Sequence, residues 1–430
     1  MPDTTPRIWM DLTTSLRARG GQTNGTLRVE RSFARQLQSL LGEQLKFCRY
    51  DSSRQFFDEA DATAAFADAV PSSKISAHRG PGASDARADR LGRRIERNVR
   101  LAIRVTVKRI HTALRGGDGA AYFPKATPGD VLLLAGETWA ARYDFEVIAR
   151  LRAERGIKIV AVCQDLIPVT HPQFFESGEF VGQYRRYVEF LSRHVDLAIA
   201  ISRATGTELE KAAKAFGGMN GKIAVIELGS DVASAAMPKP PDIRIPLQPG
   251  KFAISVSTIQ SRKNFDLLYR LWHRFAQEKR TDIPRLVIVG QRGFGSDELL
   301  AQIALDETVR DSLTVLHRTT DAELTWLYRN CAYTLYPSFA EGWGLPVSES
   351  LACGKLCLAS DTSSLPEAGA GLALHFGPTD DAAWYEAIAE LADNPGRLPE
   401  TEARIRENYR PRSWQEAGAD LANHLRAMVQ

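Results

Sequence analysis

The chain has 430 residues, of which 44% are hydrophobic and 25% charged, with a formal net charge of +3. That length exceeds what one hydrophobic core usually serves, so two domains are expected. The composition is ordinary for a globular protein, and so small a net charge gives no basis for a nucleic-acid partner.

Arg7-Ile-Trp-Met-Asp11 reads as a first strand. A polar, glycine-rich loop follows, Arg19-Gly-Gly-Gln-Thr-Asn-Gly25, and then a helix pattern through Val29, Phe33 and Leu37. From Arg79 to Arg115 there are eleven Lys/Arg and three Asp/Glu. Basic residues at 90, 93, 94, 97, 100, 104 and 108 flank an apolar stripe of Leu91, Ile95, Val99, Ala102, Ile103, Ile110 and Leu114. This basic amphipathic insertion, about 85–115, has two readings. It docks on an anionic membrane surface, where each cation contributes on the order of 1 kcal/mol, or it is a domain helix with a solvated basic face.

Short apolar runs follow at Val131-Leu-Leu-Leu134, Ile157-Lys-Ile-Val-Ala-Val162, Leu197-Ala-Ile-Ala-Ile201 and Ile223-Ala-Val-Ile226, with helical patterns between most of them. Near-continuous apolar strands alternating with helices indicate parallel α/β sheets. Residues 231–250 break the pattern: five prolines between Met237 and Gly250 make a linker. The alternation restarts at Phe252-Ala-Ile-Ser-Val256, Leu286-Val-Ile-Val289, Leu313-Thr-Val-Leu316, Tyr333–Tyr336 and Leu356-Cys-Leu-Ala359. Two Rossmann-like domains are expected, 1–230 and 251–405. A final helix in 406–430 is expected to pack back on the first domain. A ligand would lie in the cleft between the domains, at the carboxyl ends of the strands.

The cysteines, Cys48, Cys163, Cys331, Cys353 and Cys357, are few, odd in number and without zinc or disulfide spacing. They fit a reduced, cytoplasmic setting, with Cys353 and Cys357 as packing residues at helical spacing. No apolar run approaches a membrane span, and the opening residues lack a signal-peptide pattern.

The most informative segment is Pro337-Ser-Phe-Ala-Glu341-Gly-Trp-Gly-Leu-Pro-Val-Ser-Glu349. It follows a strand, passes a glycine-punctuated turn and enters a helix with Pro346 expected at its first position. Unpaired N–H groups and the positive end of a helix dipole make an anion site there. Gly342 and Gly344 would let the backbone approach a ligand. Two carboxylates beside an anion pocket repel phosphate, so Glu341 and Glu349 suit sugar hydroxyls. The competing reading is a capped helix with a solvated acidic face.

Arg262-Lys263-Asn264 follows the first strand of the second half, where two adjacent cations suit a diphosphate. The turn Gly290-Gln-Arg-Gly293-Phe-Gly295 only loosely resembles a dinucleotide fingerprint and lacks its downstream acid, which argues against NAD. Asp165, after the strand ending at Val162, would bind an acceptor hydroxyl or cap the next segment. No Asp-x-Asp pair, metal-spaced cluster, nucleophile elbow or Walker loop occurs. No metal or cofactor is therefore expected, and phosphate neutralisation falls to Arg262, Lys263 and backbone N–H groups.

Together these residues resemble retaining glycosyltransferases of the GT-B fold, family 4. The resemblance rests on Glu341 and Glu349 with seven residues between them in a Pro-Ser-x-x-Glu-Gly-x-Gly-Leu-Pro frame. Supporting matches are Arg262-Lys263-Asn264, Val289-Gly290, Asp321-Ala-Glu-Leu324, Ser363-Ser-Leu-Pro-Glu367, Asn24-Gly25-Thr26, Arg28-Val29-Glu30 and Glu227-Leu-Gly229. The resemblance implies that Glu341 contacts hydroxyls of a donor sugar and Glu349 the ribose of its nucleotide. Arg262 and Lys263 would hold the diphosphate, assisted by backbone around Asn24 and Gly25 and from Gly342 through Trp343 and Gly344 to Leu345. It also implies front-face transfer without a protein nucleophile, the leaving diphosphate helping to deprotonate the acceptor.

Many relatives carry His where this chain has Gln164, which makes Asp165 the stronger acceptor contact; Ser350 and Lys355-Leu-Cys are packing changes. The Asp-Leu-Ile-Pro stretch is similar to mannosyl- and rhamnosyltransferases of surface polysaccharide assembly. GDP-mannose is thus the favoured donor, and a glycan or lipid-linked glycan the acceptor. Localisation would be cytoplasmic or peripheral on the inner face of the cell membrane. The alternatives are a nucleotide-sugar epimerase of the same fold and a non-catalytic subunit that binds sugar nucleotide.

Overall fold

The computed structural model describes residues 5–18, 25–63, 123, 125–140, 142–175, 177–230, 237–243 and 246–430. Asn24, the basic stretch of 85–115 and residues 231–236 of the linker lie outside the described residues.

Two sheets organise these residues. The first has the order β3-β2-β1-β4-β5-β6-β7, from Ile8–Asp11 (β1), Leu45–Asp51 (β2), Phe56–Glu59 (β3), Val131–Leu134 (β4), Lys158–Cys163 (β5), Leu197–Ala200 (β6) and Lys222–Val225 (β7). β3 runs antiparallel to β2, and the other neighbours pair in parallel. β1 and β4 are buried along their whole length, as expected of strands covered on both faces.

The second sheet is wholly parallel, in the order β10-β9-β8-β11-β12-β13. Its strands are Phe252–Val256 (β8), Arg285–Val289 (β9), Leu313–Leu316 (β10), Thr334–Tyr336 (β11), Cys357–Ser360 (β12) and Leu374–Phe376 (β13). In both sheets the chain runs outward one way and then returns to extend the other side. β1/β4 and β8/β11 are therefore the switch points, where loops at the carboxyl ends diverge and leave a crevice. Helices such as Phe265–Gln277 press an apolar face, including Leu268, Trp272 and Phe275, onto the sheet.

The chain crosses between the domains a second time. After the helix Arg397–Asn408, residues 409–413 run back beside the end of the first domain, where the Ser230 N–H donates to the Arg412 carbonyl at 2.9 Å. The last helix, Trp414–Val429, opens with a Ser413/Glu416 capping box. It buries Trp414, Leu421 and Leu425 against the first domain's core, with Trp414 edge-on to Phe33 at 5.7 Å between ring centres. A side chain at Gly418 would meet the Gln36 Cβ at 2.4 Å, so a small residue there sets the helix spacing.

All five cysteines are free. Cys353 ends a helix and Cys357 opens β12, so they are packing residues but do not share a helix face as their spacing suggested. Among the described residues no helix is long and apolar enough to cross a membrane.

Candidate active site

The segments flagged in the sequence converge on the switch point of the second sheet. Arg262 and Lys263 follow β8, and Glu341 follows β11, the two strands on either side of that point. Asn264 locks the two loops together. It adopts a left-handed backbone (φ +57), and its side-chain amide donates to the Pro337 carbonyl at 3.1 Å and the Pro378 carbonyl at 2.7 Å. The Phe339 N–H donates to the Arg262 carbonyl at 2.9 Å. Ser363 and Ser364 brace the other side. The Ser363 hydroxyl accepts the Glu341 N–H at 2.8 Å, and the Ser364 hydroxyl donates to the carbonyls of Glu341 and Trp343.

Glu341 is the hub. One carboxylate oxygen, Oε1, lies 3.0 Å from Arg262 Nη1, accepts the Tyr336 hydroxyl at 3.0 Å and pairs with Lys263 Nζ. Lys263 Nζ also donates to the Tyr336 hydroxyl at 2.8 Å. Burial by itself would raise the Glu341 carboxyl, but the charges of Arg262 and Lys263 outweigh it and hold the group at about 2. Burial first, and the neighbouring Arg262 second, bring Lys263 down to about 8. Three charges nearly out of water, two positive and one negative, thus meet on one carboxylate oxygen.

The helix that follows runs from Leu345 to Ala352, with Pro346 at its second position rather than its first. The surroundings of Gly342 and Gly344 give each glycine a structural role beside the expected approach of the backbone to a ligand. A side chain at Gly342 would meet the Gln164 carbonyl oxygen at 1.9 Å, so this glycine allows the two domains to touch. Gly344 has φ +110 and faces Leu365, so it makes the turn into the helix. Trp343 is a core side chain, its indole N–H donating to the Ser348 hydroxyl at 3.1 Å, which leaves only its backbone to serve a ligand. Leu345 packs on the same core.

Glu349 is buried one turn into that helix, and its solvated-face reading does not hold. One of its oxygens pairs with Arg28 Nη1 of the first domain at 2.5 Å, and the other accepts the Tyr328 hydroxyl at 2.9 Å. Arg28 lies in the first turn of the helix Gly25–Leu41. Gly25 thus starts this helix rather than ending a loop.

From the first domain, Asp165 follows β5 and comes close enough to Arg262, Lys263 and Glu341 to interact with their charges. Burial raises its carboxyl, and Arg262 opposes the shift. It also caps the following turn, accepting the Ile167 N–H at 3.1 Å, as the capping reading expected. Gln164 is tied by its amide to the Ala135 carbonyl at 2.9 Å. Deeper in that domain lies an acidic pair that the sequence did not single out. Asp11 accepts hydroxyls of Thr13 and Tyr143, and Glu30 accepts the Ser15 N–H at 2.7 Å. Burial, then the Asp11 charge, push the Glu30 carboxyl up to about 8.

Two further cross-domain contacts were not legible. The Glu367 carboxylate accepts the N–H groups of Arg203 and Ala204, at 2.8 and 2.7 Å, at the start of the helix Arg203–Ala213. Phe174 stacks on Phe339 with ring centres 5.3 Å apart. In the sequence Arg28 stood only within Arg28-Val29-Glu30, a match that gave it no role of its own. Tyr328 and Tyr336 carried no signal.

The two-sheet architecture with its cleft is the GT-B fold. Sucrose-phosphate synthase from Thermosynechococcus elongatus superposes with a TM-score of 0.61 at 16% identity, over 98% of this chain and 99% of that one. Anabaena HepE, in a complex with UDP and glucose, does so with a TM-score of 0.55 at 14% identity, over 98% and 100%. Residues 243–412 match the family described as glycosyl transferases group 1. Among curated relatives, the O-antigen chain mannosyltransferase B of Escherichia coli is 31% identical over 173 residues, 40% of this chain and 45% of the relative. The O-antigen chain mannosyltransferase RfbU of Salmonella typhimurium is 31% identical over 129 residues, 29% of this chain and 36% of the relative. The chain thus spans less than half the length of these relatives.

Proposed function

We propose that this chain is a retaining glycosyltransferase. It moves a hexose, with mannose favoured, from a nucleotide-diphosphate sugar to a glycan or lipid-linked glycan of a surface polysaccharide. The observation that carries this is the Arg262–Lys263–Glu341 cluster at the switch point of a domain that matches glycosyl transferases group 1, with Glu349 buried one turn into the helix that follows. Two buried cations offer a diphosphate what Glu341 now takes, and the released carboxylate becomes an acceptor for donor-sugar hydroxyls. Charge that develops on the leaving diphosphate is then met by groups already in place, which lowers the barrier without reorganisation. Asp165, reaching the same cluster from the opposite domain, positions the acceptor hydroxyl. GDP-mannose as donor is supported by the two O-antigen mannosyltransferase relatives. The basic stretch of 85–115 would hold the enzyme at an anionic membrane surface, where a lipid-linked acceptor is presented.

The test is a thermal-shift screen with GDP, UDP, dTDP and ADP and their common sugar conjugates, followed by transfer from whichever conjugate binds. A ligand at 100 times its dissociation constant should stabilise the chain by about 2.7 kcal/mol. Glu341→Gln should remove transfer while the variant still melts as a folded protein. Binding without transfer to any glycan acceptor would favour the non-catalytic subunit, and conversion of the free sugar nucleotide would favour the epimerase.

A further inference from the structure

We infer that Arg28 is a third cation for the nucleotide diphosphate, supplied by the first domain and held by Glu349 until the donor arrives. The inference rests on the donor reading above and concerns a residue to which that reading gives no role. Arg28 sits in the first turn of a 17-residue helix, where the helix dipole favours an anion. Its guanidinium spans the domain boundary to Glu349 Oε1 at 2.5 Å. The Glu349 side chain is 4% exposed and also held by Tyr328, whereas the Arg28 side chain is 32% exposed at the edge of the cleft.

The second carboxylate of the pair is arranged in the same way. Glu341 is neutralised by Arg262 and Lys263, as Glu349 is by Arg28. Cations and carboxylates of the cleft therefore satisfy one another. A sugar nucleotide can dissolve both pairings at once, because its diphosphate takes the cations while its hydroxyls take the carboxylates. A ligand with only one of these halves must leave a buried charge uncompensated, which is costly. The guanidinium fork matches phosphate oxygens, so the released Arg28 has a partner waiting. Its position on the first domain also makes diphosphate binding a reason for the cleft to stay closed.

The test compares binding of a nucleoside and of its 5′-diphosphate, for the base that the wild-type chain selects, by titration calorimetry. The variants are Arg28→Gln and Arg28→Lys. The wild-type chain should bind the diphosphate far more tightly than the nucleoside. In R28Q the diphosphate should weaken by about tenfold or more, the loss expected for one charge-assisted hydrogen bond, while the nucleoside binds no worse. R28K, which keeps the charge, should retain most of the preference. If R28Q does not fold with Glu349 left unpaired, E349Q and the double variant R28Q/E349Q give the same comparison without a buried lone charge. An unchanged ratio of diphosphate to nucleoside affinity in R28Q, or between E349Q and the double variant, overturns the inference and leaves Arg28 a clasp between domains. If the wild-type chain binds none of the four nucleoside diphosphates, the donor reading itself fails, and this inference falls with it.

Discussion

Lys263 is a charged amine almost without water around it, and its protonation should govern how the cleft takes an anion. Burial and Arg262 depress it to about 8, while Glu341, at about 2, stays ionised at every working pH. Only the protonated amine attracts a diphosphate. Affinity for a nucleoside diphosphate should therefore hold up to about pH 8 and fall by up to tenfold per pH unit above it. Lys263→Arg keeps its charge, so that falling limb should vanish even if affinity changes overall. Calorimetric titrations from pH 6.5 to 9.5 read this directly, and an identical alkaline limb in the variant would assign the titration elsewhere. The adjacent cations and the paired glutamates were legible because their chemistry is local and their spacing reports strand ends. Their mutual pairing was not. Nothing in the chain order says that Lys263 donates to a carboxylate oxygen of Glu341, 78 positions away.

At the scale of elements, loops from both domains meet at points of close approach. Gly342 lies against the Gln164 carbonyl, Thr205 donates its hydroxyl to the Gly342 carbonyl at 3.2 Å, and Glu367 caps the helix Arg203–Ala213 from across the boundary. These contacts fix how far the cleft closes. A methyl group at 342 would stand 1.9 Å from the Gln164 oxygen, inside any allowed contact, and the obstacle is backbone on both sides. Gly342→Ala should therefore hold the domains apart. Small-angle scattering should show a larger radius of gyration and transfer should drop. Each domain should keep its own fold, since the substitution enters neither core. A variant with unchanged scattering and full transfer would mean that the closed contact plays no part in turnover. The sequence marked Gly342 as special and suggested a ligand as the reason. A glycine records only that something comes close, and here it is the other domain.

Over the whole molecule, the second domain is followed by a helix that belongs to the first. Trp414, Leu421 and Leu425 complete the core around Phe33 and Leu37. Ending the chain at Tyr409 would expose that core and remove the second crossing. Burying three large side chains contributes roughly 1.5–3 kcal/mol each, comparable with the whole stability of many domains. The truncated protein should lose its first domain to limited proteolysis while a fragment covering 251–405 survives. Equal resistance of both halves would show that the first domain stands without the helix.

The sequence by itself determined the elements and their chemistry. Apolar runs of strand length, helix-period patterns between them, a proline-rich break and the charged turns after particular strands all depend on neighbours in the chain. So do the cations at 262 and 263 and the glutamates at 341 and 349. The tertiary structure decided which charges neutralise one another, which glycines serve the boundary between domains, and that Arg28 and Glu349 meet across it. Those outcomes depend on distances between segments 78 to 321 positions apart in the chain. Local propensity carries no record of them, because they exist only once both sheets have formed and closed on each other.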